Sequence, residues 1–123
     1  MQARIIANWS AAGVTCTAER HLGLRDNFSF AEVDEKRVAE MVKEVAREGC
    51  EAVAVLCTNM RGARLAEPLE AELGIPVFDS IATTLWKSLQ LTGMGASRVQ
   101  GWGCLFAGGL QLSHQAPARG AKG

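Results

Sequence analysis

The stretch Ala52-Val53-Ala54-Val55-Leu56-Cys57-Thr58-Asn59-Met60-Arg61-Gly62 decides how this chain reads. Its first five residues are apolar on both alternating faces, which suits a strand of a parallel sheet covered by helices on either side. The run stops at a thiol and at a polar turn that closes on Gly62 and leads into helix-forming sequence. In open α/β sheets, ligands bind outside the carboxyl ends of the strands. Cys57 stands at such an end, where converging backbone N–H groups would stabilise a thiolate or a bound carboxylate. Thr58 and Asn59 add hydroxyl and amide donors suited to a carboxylate or a developing enolate.

Upstream, Ile5, Ile6 and Trp9 share helical spacing, which predicts a helix over residues 2–12 that stops at Gly13. Residues 14–18 are rich in β-formers and predict a first strand, followed by a long polar loop over 21–27. Asp34 is placed to cap a helix running to about Glu48, with Val38, Met41, Val42 and Val45 as its apolar stripe and Gly49 past its end. Downstream, Leu65, Leu69 and Leu73 suggest helix. Pro68 cannot sit in a continuous interior, so it is expected to start the second of two short segments, ended by Gly74. Residues 75–78 predict a third strand. Ser80 or Thr83 would cap a last helix carrying Ala82, Leu85, Trp86 and Leu89 on one face and ending at Gly93.

The expected order is thus a helix, then strand and helix three times over. That order predicts an α/β fold: a single three-layer lobe with a short parallel sheet flanked by helices and right-handed crossovers. The Asn27 loop, the Cys57 turn and Asp79-Ser80 should then gather at one edge of the sheet. Past Gly93 the glycines at 95, 101, 103, 108 and 109 break regular structure, while Trp102, Leu105 and Phe106 remain as apolar anchors. The lobe is expected to span residues 1–112 with a wrapping closing segment. Residues 113–123, rich in Gly, Ala and Pro, read as a disordered tail.

Composition narrows the partners. The 123 residues carry 13 Lys+Arg and 13 Asp+Glu, so nothing electrostatic invites nucleic acid or an anionic membrane. Hydrophobic residues make up 48%, and a chain of this length buries roughly two-thirds of its unfolded surface, enough for one core without staples. No apolar run approaches the about 20 residues that span a bilayer, and the start Met1-Gln2-Ala3-Arg4 lacks the apolar stretch of a signal peptide, so a cytoplasmic protein is expected. Four cysteines at 16, 50, 57 and 104 lack C-x-x-C spacing, and His21 and His114 lie far apart, so no metal site is expected. Glycine-rich nucleotide loops, a serine-hydrolase elbow and zinc-protease signatures are all missing. What remains is the thiol.

Four stretches in order carry a resemblance: Leu22-Gly23-Leu24-Arg25-Asp26-Asn27; Cys57-Thr58-Asn59-Met60-Arg61; Glu70-Ala71-Glu72-Leu73-Gly74-Ile75-Pro76-Val77; and Gly101-Trp102-Gly103-Cys104-Leu105-Phe106. Up to about residue 106 the chain resembles the cofactor-independent Asp/Glu racemase superfamily, within it the maleate cis-trans isomerase and arylmalonate decarboxylase branch. Members look like two similar α/β lobes about a pseudo-twofold axis with substrate between them, and this chain resembles the second lobe only. The resemblance implies Cys57 as the catalytic cysteine of that lobe, with Asn27, Thr58 and Asn59 binding a substrate carboxylate and Arg61 as a further candidate. It implies no cofactor, a small dicarboxylate substrate, and a homodimer or a separate first-lobe chain as partner. The implied reaction is maleate-type cis-trans isomerisation by a truncated or split enzyme of little activity alone. An arylmalonate decarboxylase-like or racemase-like enzyme, or a non-catalytic remnant or interaction module, are the alternatives.

Overall fold

Three aspartates explain where three helices begin. The computed structural model describes residues 1–108. After α1 (Gln2–Ala11), the short helix α2 (Asn27–Glu32) starts on Asp26, whose carboxylate accepts the Ser29 N–H at 2.9 Å and the Ser29 hydroxyl at 2.7 Å. Helix α3 (Glu35–Ala46) starts on Asp34, which accepts from Lys36 N at 3.0 Å. Strand β1 (Val53–Val55) follows, then a 3-10 turn (Ala63–Leu65) and α4 (Ala66–Leu73). Pro68 lies in the first turn of α4, where its missing N–H is no loss, and the break expected around it falls between Leu65 and Ala66. Gly74 ends α4 with a left-handed φ of 71°, a conformation that glycine adopts without strain.

Strand β2 (Val77–Asp79) pairs in parallel with β1, in the register Val53 to Val77, Ala54 to Phe78 and Val55 to Asp79. Helix α5 (Ser80–Leu91) follows at once, capped by Asp79 instead of the expected Ser80 or Thr83. A second 3-10 turn (Ala96–Arg98) leads into the closing segment. The fold is α/β, with a two-stranded parallel sheet among the described residues.

Side-chain alternation sorts the layers. Val53, Val55 and Val77 are buried on one face, where Val38 and Val42 of α3 and Ala66 and Leu69 of α4 complete the core. Burying each of the larger side chains contributes about 1.5–3 kcal/mol. On the other face Phe78 packs with Trp86 and Leu89 of α5 and with Leu105 and Phe106 of the closing segment. Ala54, beside Phe78 on that face, stays exposed, so helical cover reaches only part of it.

Glu70 ties the closing segment down. Its Oε1 accepts Val77 N at 3.0 Å and the Cys104 thiol at 3.2 Å, and its Oε2 accepts Cys104 N at 2.8 Å. Gly103, at a φ of 99°, lets the chain pass this carboxylate, because a Cβ there would lie 3.0 Å from Oε2 and 3.2 Å from the Ala66 methyl. Trp102, expected as an anchor beside Leu105 and Phe106, is 41% exposed.

The first expected strand does not form. Residues 14–18 are irregular, and Val14, Thr15 and Thr17 are exposed. β-Branched residues favour a strand only where a pleated neighbour is there to receive them, and no ladder reaches this stretch among the described residues. Arg20 instead pairs the segment with Glu44 of α3 and with Glu48 just past its end. No helix among the described residues is long and apolar enough to cross a membrane. The expected end of the lobe at residue 112 and the tail over 113–123 lie outside the described residues.

Candidate active site

Cys57 sits two residues past β1, half-buried, with a free thiol. Met60 and Gly62 fix the turn that follows it. Met60 packs against the core, and Gly62 is buried beside Val55 and Asp79 at the end of the sheet. Thr58 and Arg61 face outward between these anchors. The next helical residue is Ala63, so the cysteine does not begin a helix as its sequence context suggests. The polar turn and Gly62 intervene, so the thiol lies outside the first turn of the helix that follows it.

The structure brings the Asn27 region to this turn. The Asn59 side chain donates from Nδ2 to the Asn27 carbonyl at 3.2 Å, and the Thr58 hydroxyl donates to Asn59 Oδ1 at 3.2 Å. Thr58, Asn59 and Asn27 thus form one chain of contacts beside Cys57. Asn27 is exposed and is the first residue of α2 instead of part of a loop. The preceding residue, Asp26, has its carboxyl held below the usual range by the Ser29 N–H and hydroxyl.

The third expected loop, Asp79-Ser80, meets the same edge. The Ser80 hydroxyl donates to the Val55 carbonyl at 3.0 Å, which ties the start of α5 to the end of β1. Asp79 is the residue that sequence reasoning passed over. It is 1% exposed, its Oδ1 accepts Ile81 N at 2.8 Å and Ala82 N at 3.2 Å, and its Oδ2 has no hydrogen-bond partner among the described residues. Burial pushes its carboxyl up, against the pull of the two N–H groups. Two signals were readable: Asp outranks Thr as a helix cap, and alternation from Val77 puts residue 79 on the core face.

Arg61 is separated from the Cys57, Thr58, Asn59 group in one respect. It lines a cavity of about 280 Å³ together with Glu35, Met60, Ala63, Arg64, Asp79, Ile81 and Trp102, which none of Asn27, Cys57, Thr58 and Asn59 lines. Among the described residues no cluster of three or more His, Cys, Asp and Glu could hold a metal ion. Cys104 is a poor candidate nucleophile, its thiol pushed up to about 11 by burial and by the hydrogen bond and charge of Glu70.

The fold has solved counterparts. The maleate cis-trans isomerase of Nocardia farcinica, bound to Tris, superposes with a TM-score of 0.79 at 24% identity, over 85% of this chain and 43% of that one. Arylmalonate decarboxylase superposes with a TM-score of 0.77 at 23% identity, over 87% of this chain and 48% of that one. A glycine-to-cysteine mutant of the decarboxylase, in its sulfate-associated form, gives the same TM-score and identity over 86% and 46%. The chain therefore spans less than half the length of these structures. No curated protein matches it in sequence. The Asp/Glu/hydantoin racemase family matches residues 5–87, well over half of the chain, and the chain belongs to that family.

Proposed function

We propose that this chain supplies the Cys57 half of a cofactor-independent isomerase site for a small dicarboxylate of the maleate type. The observation that supports the reading is the contact chain from Thr58 through Asn59 to the Asn27 carbonyl, which ties the Asn27 segment to the turn that follows the free Cys57 thiol past β1. In the reaction, the Cys57 thiolate forms a carbon–sulfur bond to one alkene carbon. The π electrons pass to the neighbouring carbon as an enediolate, which donors at Thr58, Asn59 and Asn27 stabilise. Rotation about the resulting single bond, followed by expulsion of the thiolate, returns a trans alkene with no net gain or loss of protons or electrons.

One lobe leaves a substrate open to water on its far side, and positioning contributes a large share of such catalysis. A second copy of the chain or a separate first-lobe chain would complete the cleft. Proton NMR of maleate incubated with the chain alone, and with a supplied first lobe, tests this. Fumarate that forms with the intact thiol and is lost in Cys57→Ser is expected. No turnover in either setting, with both lobes folded, overturns the reading.

A non-catalytic anion-binding or interaction module is the second reading. The start of the following helical turn at Ala63, six residues past Cys57, favours it, since that helix does not contribute its N-terminus to activating the thiol. Alkylation of Cys57 with the pH dependence of an ordinary thiol, unprotected by maleate, would select this reading over the first.

A further inference from the structure

Asp79 performs the capping of α5 that the sequence suggests for Ser80. Its Oδ1 accepts the Ile81 and Ala82 N–H groups at 2.8 and 3.2 Å, which leaves the Ser80 hydroxyl free for another contact. That hydroxyl donates to the Val55 carbonyl at 3.0 Å, a residue 25 positions earlier in the chain. Ser80 is itself held in place. Its carbonyl accepts the Thr84 hydroxyl at 2.8 Å, and the Thr83 hydroxyl lies 3.1 Å from both the Asp79 and the Ser80 carbonyls. A half-buried hydroxyl on a helix start braced in this way is a preorganised contact.

The contact falls where the thiol-bearing turn begins. Val55 is the last residue of β1, Cys57 follows two residues later, and the turn returns to Gly62, where a Cβ would lie 3.0 Å from Val55 Cγ1. Residues 56–61 therefore form a loop whose ends lie side by side. Met60 anchors the far part of this loop against the core, and the Asn59 amide is tied to the Asn27 carbonyl at 3.2 Å. The Ser80 hydroxyl secures the near end, the one that leads to Cys57.

We propose that Ser80 is a positioning residue for Cys57, its hydroxyl holding the end of β1 where the thiol meets the substrate, an inference that rests on the isomerase reading. A thiolate that adds to an alkene carbon must approach to about 3–3.5 Å, and a misplacement of about 1 Å costs on the order of 10²-fold in rate. The Ser80 bond acts on the strand end next to Cys57, whereas Asn59 and Asn27 are tied to each other. Loss of the hydroxyl should therefore lower kcat and leave KM unchanged.

Ser80→Ala and Ser80→Thr, the second of which keeps the hydroxyl, are compared with the parent chain. Site-resolved mass spectrometry follows iodoacetamide alkylation of the four cysteines from pH 6 to pH 9. In Ser80→Ala, Cys57 is expected to alkylate about two- to ten-fold faster at every pH, the factor that one neutral hydrogen bond is worth, while Cys16, Cys50 and Cys104 keep their parental rates. With a supplied first lobe, kcat for fumarate formation should fall by about ten-fold or more at an unchanged KM. Ser80→Thr should return both readings toward the parent. Unchanged Cys57 alkylation in Ser80→Ala, acceleration of all four thiols together, or a Ser80→Thr that behaves like Ser80→Ala overturns the positioning role. A Ser80→Ala that keeps the parental kcat overturns it while the isomerase reading stands. A parent without turnover removes the isomerase reading, and alkylation then decides whether Ser80 holds the thiol.

Discussion

Gly62 and Asp79 share one crowded position at the end of the sheet, and each predicts a measurable consequence. An added methyl at Gly62 would lie 2.7 Å from Asp79 Oδ2 and 3.0 Å from Val55 Cγ1, so the sheet end must shift to admit it. Overpacking of this kind costs about 1–3 kcal/mol, more than the about 0.4–1 kcal/mol that alanine returns by restricting the unfolded chain. Gly62→Ala is therefore expected to lower the urea midpoint. Asp79 predicts a pH dependence. Its carboxyl is raised in the folded protein, chiefly by burial, so the folded state holds a proton that the unfolded chain releases at its ordinary value of 3.8. Its contribution is full below that value and declines as pH rises through the folded value. Asp26, lowered by Ser29, acts in the opposite sense, its contribution present above 3.8 and lost on further acidification. The stability gap between the protein and Asp79→Asn, measured by urea unfolding at pH 4 and pH 7, is expected to move in favour of the variant at the higher pH. A gap that widens against the variant contradicts the buried placement of Asp79.

Among the elements, the clamp at Glu70 gives the sharpest expectation. One carboxylate receives the Val77 N–H of β2 and both the N–H and the thiol of Cys104. Hydrogen bonds to a charged group are worth about 1.5–3 kcal/mol each. Glu70→Ala is therefore expected to destabilise the fold by several kcal/mol and to loosen the packing of Leu105 and Phe106. Glu70→Gln removes the charge that helps hold the Cys104 thiol up at about 11, so Cys104 should alkylate faster at pH 8, as site-resolved mass spectrometry would show. The closing half of this clamp was not legible in the sequence, because Cys104 lies 34 residues from Glu70 and Glu70 reads as an ordinary helix-face charge. What was legible is local. The stripe Val38, Met41, Val42 and the Asp34 cap depend on spacings of a few residues, and α3 forms where they place it. Residues 14–18 failed as a strand for the converse reason, since a strand is completed by a remote neighbour that composition does not supply. At the candidate site, sequence put Cys57 correctly at a strand end but carried the helix too close to it.

At the scale of the whole molecule, the chain is less than half the length of the solved structures that share its fold, and it bears exposed Leu56, Ile81 and Leu85. Ile81 and Leu85, one helical turn apart on α5, predict self-association. Light scattering is expected to show a concentration-dependent dimer, and an Ile81→Glu, Leu85→Lys double variant should be monomeric with its stability changed by no more than about 0.5 kcal/mol per site. A strictly monomeric parent protein would remove the second copy as the completing lobe. The sheet itself carries one more consequence. With two strands among the described residues, both are outermost there, and each offers a row of backbone groups to any extended peptide that drifts past. A length of three residues keeps that row short, and Ala54 gives a visiting strand little side chain to grip. Brevity thus guards this protein against fibril-like stacking, and a redesign that lengthened β1 with valines or isoleucines would remove the guard while it strengthened the sheet.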